Sequence, residues 1–114
     1  MLGWANCKLY RLMKKIQERV DQWIGSFKQG YFSPAEIMLR LTEEVGELAR
    51  EVNHNFGPKK KKVTEDEGEI ALEMADVIFT IACLANSMGV DLDKAFGRMM
   101  EKMEKRDAKR WDKK

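Results

Sequence analysis

Apolar residues recur at intervals of three and four along most of the chain, the period of a helix with one buried side. Leu9, Leu12, Ile16, Val20, Trp23 and Phe27 form the first stripe, predicting a helix from about 6 to 27 that Gly30 stops. Ser33 is a good N-cap for the next. Pro34 suits its first helical position, Glu36 completes a capping box, and Phe32 with Ile37 can form the matching hydrophobic staple. Ile37, Met38, Leu41, Val45, Leu48 and Val52 then carry an apolar stripe to about 55. "FGPKKKKV" interrupts the pattern and reads as a loop. Thr64 and Glu67 offer a second capping box, for a third helix that ends near 87 before Gly89. Asp91 caps a fourth, with Ala95, Phe96, Met99, Met100 and Met103 on its core face. The charged ending "EKRDAKRWDKK" is expected to fray from about 105 to 114. The fold class is all-α: a four-helix bundle in one domain spanning 1–114, without internal repeats or a linker.

The third helix differs from the others. Ile70, Met74, Val77, Ile78, Ile81, Leu84 and Met88 make one stripe, and Ala71, Ala75, Phe79, Ala82 and Cys83 fill most of the remaining circumference. A helix apolar nearly all round must be covered on several sides. Four helices of this length hardly manage that alone, so a homo-oligomer is expected, with a well-centred helix in a monomer as the other reading.

Composition narrows the classes. With 114 residues, 44% hydrophobic and 35% charged, the chain is neither a disordered tail nor an integral membrane protein. A net charge of +2 is too balanced to indicate nucleic acid. The run "VIFTIACLA" is too short to span a bilayer, and "MLGWANCKLY" lacks the form of a signal peptide. Cys7 and Cys83 make no disulfide framework, which suits a reducing cytoplasm.

The candidate chemistry lies in the acids. Glu43, Glu44, Glu47 and Glu51 crowd about three turns of the second helix, where like charges repel. At about 100° per residue, the second helix's stripe centres about 75° from Glu44, with Glu47 about 60° beyond. Glu73 and Asp76 hold the same offsets on the third helix, about 70° and then about 60°. Packed antiparallel, the two helices would turn "EVGE" and "EMAD" toward a shared space. Asp76 adjoins the most apolar segment, and a buried carboxylate must pair, protonate or bind a metal. Arg40, Lys102 and Arg106 are the cations that could pair with it. A divalent ion needs none of them: four carboxylates suit Mg²⁺, with Mn²⁺ as a substitute. The competing reading is a solvated acidic face. A di-iron bundle needs Glu-x-x-His from two helices, whereas His54 is the one histidine and lies in neither motif.

"EEVGE" at 43–47, followed by "EMAD" at 73–76, resembles the EExxE…ExxD signature of MazG-like nucleotide pyrophosphohydrolases, in the all-α NTP pyrophosphatase superfamily. The similarity runs from Trp23 through "GYFSP", "LTEEVGELAREV" and "ADVIFTIACLAN" to "KMEKRDAKRW". The resemblance implies cleavage of nucleoside triphosphates between the α and β phosphates with Mg²⁺, in a house-cleaning role, by a homodimer or dimer of dimers. It implies Glu44, Glu47, Glu73 and Asp76 as metal ligands, with Glu43 and Glu44 as the catalytic acids. Lys102 and Arg106 would contact phosphates, with a solvated basic helix end as an equal reading, and Tyr31 would stack on a base. Asn86, by its place near the end of the third helix, is a candidate ligand contact, with helix-end polarity an equal explanation. Phosphoribosyl-ATP pyrophosphohydrolase shares the acidic signature and is one alternative. A helical module that binds metal or nucleotide without turnover is another. The lysines at 59–62 fit a solvated loop better than a phosphate site.

Overall fold

The computed structural model describes residues 11–58 and 69–114. The sequence features at 1–10, the lysine run, and the Thr64–Glu67 capping box lie outside these residues. Among the described residues there are four helices and no strand: α1 Leu12–Gly25, α2 Pro34–Phe56, α3 Ile70–Met88 and α4 Leu92–Asp107.

The expected start of α2 is realised. The Glu36 N–H donates to Ser33 Oγ (3.3 Å), with Ser33 extended and Pro34 at the first helical position. At the far end of α3, Gly89 takes φ +68°, a left-handed conformation that ends a helix at little cost only for glycine. Asp91 then starts α4 by accepting from the Lys94 N–H at 3.1 Å. α1 has no side-chain cap of its own. Instead Asp93 of α4 accepts from the Met13 and Lys14 N–H groups at 3.1 and 2.9 Å. A carboxylate there meets both the free donors and the positive end of the helix dipole.

α3 packs along α2 and, through its C-terminal half, against α1; α4 rests on α1. The small core follows from this. Val20, Ile37, Ala82 and Cys83 are buried together, with Ile16, Ile24, Tyr31 and Leu84 packed around them. The N-terminal half of α3 is the more open, since its buried residues all lie from Thr80 onward. Leu72 is 60% exposed, and Met74 and Ile78 are also exposed. On α2 the sector with Ile37, Leu41 and Leu48 is covered, whereas Met38, Val45, Val52 and Phe56, further round the helix, are open. α4 likewise exposes Phe96, Met99 and Met103.

Two expectations change here. Trp23, expected in the core, is 57% exposed: the described helices leave its side of α1 open. The nine-residue apolar run is also a poor measure of α3. The whole helix, at 19 residues, is long and apolar enough to cross a membrane by length and composition.

Candidate functional site

α2 and α3 turn their acidic flanks toward each other. Carboxylate oxygens of Glu44, Glu47 and Glu73 all lie within 4.8 Å of one another. Burial raises the pKa of Glu44 above its ordinary value, and the charges of Glu47 and Asp76 add to this. Glu73 is raised in the same way, by burial first and then by Glu47, Asp76 and Glu51. Glu73 Oε2 is buried and has no hydrogen-bond partner among the described residues. An orphaned carboxylate oxygen among like charges is a costly arrangement for the bare protein.

The donor set fits a hard divalent cation. Mg²⁺ binds oxygen octahedrally at about 2.0–2.1 Å, so ligands of one ion stand about 3 Å apart when adjacent and about 4.2 Å when opposite. From the observed spread of up to 4.8 Å the three side chains would draw inward to share one ion. Hard oxygen donors without imidazole or thiolate are the set that Mg²⁺ and Mn²⁺ prefer.

Asp76 stands differently from its expected place. It is exposed rather than buried, because α1 reaches only the later turns of α3 and leaves this one open. It lies at the margin of the cluster, close enough for its charge to act on both Glu44 and Glu73. Glu73, with its buried Oε2, is therefore the acid whose burial calls for a cation. Glu43 is exposed, one residue round α2 from the cluster.

Beside the acids opens a pocket of about 620 Å³. Glu44 and Asp76 line one part, and Trp23, Phe27, Tyr31, Phe32 and Phe79 line another. Trp23 meets Phe27 edge-on at 5.2 Å and Phe79 at 5.9 Å between ring centroids, the geometry aromatic quadrupoles favour. Phe32, expected as a staple, is exposed and forms part of this wall. The pairing of Trp23 and Phe27 at i and i+4, followed by "YF", was the available sequence signal for such a wall. Arg40 also lines the pocket and faces Glu44, with Nε 3.9 Å from Oε1. Sequence reading offered it as a partner for Asp76 instead.

The remaining expected contacts are placed elsewhere. Asn86 does not line the pocket; it ties α3 to α1. Its Nδ2 donates to the Gln17 carbonyl and the Tyr31 hydroxyl, both at 2.9 Å, and its Oδ1 accepts from Gln17 Nε2 at 2.9 Å. Tyr31 in turn donates to Asp21 Oδ1 at 2.8 Å. Burial, together with the hydrogen bond to Asp21 and its charge, outweighs the Asn86 contact and pushes the Tyr31 hydroxyl up to about 12, so it stays neutral. Lys102 and Arg106 stand on α4 away from the pocket lining, and Arg106 pairs with Asp107 at 2.9 Å.

Residues 32–111 match the family model of the MazG nucleotide pyrophosphohydrolase domain. The chain is 54% identical over 104 residues to the uncharacterized protein YpjD of Bacillus subtilis, covering 91% of this chain and 94% of that one. It is 35% identical over 96 residues to the uncharacterized protein YvdC of the same organism, covering 75% and 91%. The crystal structure of YpjD superposes with a TM-score of 0.72 at 57% identity, over 79% of this chain and 92% of that one. A Bacillus-conserved MazG protein, a nucleotide pyrophosphohydrolase, superposes at 0.67 and 49% identity, over 79% and 86%.

Proposed function

The chain belongs to the MazG nucleotide pyrophosphohydrolase family, and on that footing we propose a Mg²⁺-dependent enzyme that cleaves nucleoside triphosphates to monophosphates and pyrophosphate. The observation that carries the metal reading is the trio Glu44, Glu47 and Glu73 around the orphaned Glu73 Oε2. These three would hold the ion, with Asp76 as the fourth ligand after a side-chain rotation. When bound, Mg²⁺ offsets the charge of the phosphates and makes the attacking water more acidic.

The protein's own groups supply the rest. The aromatic wall takes the base by stacking, with Tyr31, neutral and held by Asp21 and Asn86, as a fixed part of it. Glu43, at the outer edge of the cluster, would orient the attacking water and take its proton, beside Glu44 on the ion. A bond forms from the water oxygen to the α-phosphorus, the bridge to the β-phosphorus breaks, and pyrophosphate leaves. An open, apolar-aromatic pocket fits surplus or non-standard nucleotides, a house-cleaning role in the cytoplasm.

The open apolar faces of α2 and α3 support a homodimer or dimer of dimers. In such an assembly Lys102 and Arg106 would serve a phosphate site on another copy, since their own pocket lies elsewhere. The test is a panel of triphosphates with Mg²⁺ and identified products. Monophosphate and pyrophosphate are expected, and Glu47→Gln should lower turnover at least about 100-fold, as loss of a group acting on the transition state does. Nucleoside diphosphate and phosphate as products would reject the cleavage position.

A further inference from the structure

We propose that Arg40 is a substrate-binding residue that leaves Glu44 for the phosphate chain when a cation takes Glu44. The inference rests on the pyrophosphohydrolase reading and assigns a phosphate contact within that site. The charged residues lining the pocket are Glu36, Arg40, Glu44 and Asp76. Among the described residues of this chain Arg40 is the one cation in that lining, where a highly anionic substrate would meet three carboxylates.

Its position on α2 suits the task. Glu36, Arg40 and Glu44 follow at steps of four on one face of the helix, about 6 Å apart along its axis. Trp23, Phe27 and Phe32 gather near the start of α2, and the acidic trio lies further along. A nucleotide with its base on the aromatic wall and its reacting phosphorus at the acids must pass Arg40. The Arg40 side chain is 70% exposed, that of Glu44 only 17%, and their ion pair through Nε is long, at 3.9 Å. Such a pair is weak and easily exchanged, whereas a guanidinium holds phosphate through several charge-assisted hydrogen bonds.

Calorimetry on the full chain tests this with two titrants: Mn²⁺ alone, and an α,β-methylene triphosphate analogue with Mn²⁺ present. Arg40→Met, on an exposed helical surface, keeps a good helix former there. It should bind the analogue about tenfold or more weakly, the scale of a lost charged hydrogen bond. It should bind Mn²⁺ alone about threefold more tightly, because a nearby positive charge is gone. Unchanged analogue affinity in Arg40→Met, with wild type binding both titrants, overturns the phosphate contact. Weaker analogue binding with unchanged Mn²⁺ affinity overturns the exchange with Glu44. If wild type binds neither, the pyrophosphohydrolase reading itself fails, and this inference falls with it.

Discussion

Glu44 and Glu73 set the pH behaviour of the metal-free protein. Both have folded-state pKa values raised above the ordinary 4.5, by burial and by neighbouring acids. The stability they lend is complete below the unfolded value and is lost as pH rises through the folded one. Melting temperature without metal should therefore fall as pH climbs from 4.5 toward neutrality, and saturating Mg²⁺ should flatten that fall. Asp107 is shifted the opposite way, below its ordinary 3.8, so its loss lies at lower pH and does not mask the trend. Differential scanning calorimetry on wild type and Glu73→Gln checks this; the variant should show a shallower slope. Asn86 belongs to the same scale. Replacing it with alanine leaves Gln17 groups and the Tyr31 hydroxyl short of partners, at a cost of about 1–3 kcal/mol. A urea midpoint that barely moves would remove Asn86 from the α1–α3 tie. Sequence position near the end of α3 suggested a ligand contact for it. Nothing local could reveal that Gln17, 69 residues earlier, would claim it.

Among the helices, what was readable was what is encoded within a few residues. Ser33-Pro34 and Asp91 cap their own helices, and Gly89 ends α3 by a conformation that side chains resist. Gly89→Ala should cost about 1–2 kcal/mol, the penalty for an L-residue in the left-handed region. A lower denaturant midpoint at unchanged slope would show it. The matched flanks of "EVGE" and "EMAD" were also readable, since both follow from the helical period, and three of the four acids meet as that geometry required. The burial of Asp76 and of Trp23 was misjudged for one reason: periodicity says which side of a helix is apolar, not which neighbour reaches each turn. The cap that Asp93 places on α1 comes from about 80 residues away, and the pocket draws on α1, a loop, α2 and α3 together. Neither leaves a local signature.

At the level of the molecule, the open faces dominate. The radius of gyration is 17.7 Å, against about 13 Å for a compact domain of this length. Met38, Val45, Val52 and Phe56 on α2 and Leu72, Met74 and Ile78 on α3 form exposed apolar surface on two adjoining helices, the surface an interaction buries. Light scattering should give a multiple of the 13.3 kDa chain mass. Ile78→Glu, which sets a charge on that face, should shift the protein toward the single-chain mass. A wild-type protein already at 13.3 kDa would contradict the assembly.

Metal-dependent hydrolysis by this protein requires the acidic trio to grip a cation. The direct measurement is an anomalous difference map from crystals soaked in Mn²⁺, collected at the manganese edge. The expected result is a peak at bonding distance from carboxylate oxygens of Glu44, Glu47 and Glu73. A peak elsewhere, or none, in crystals of protein that hydrolyses triphosphate in the same Mn²⁺ solution, would contradict it.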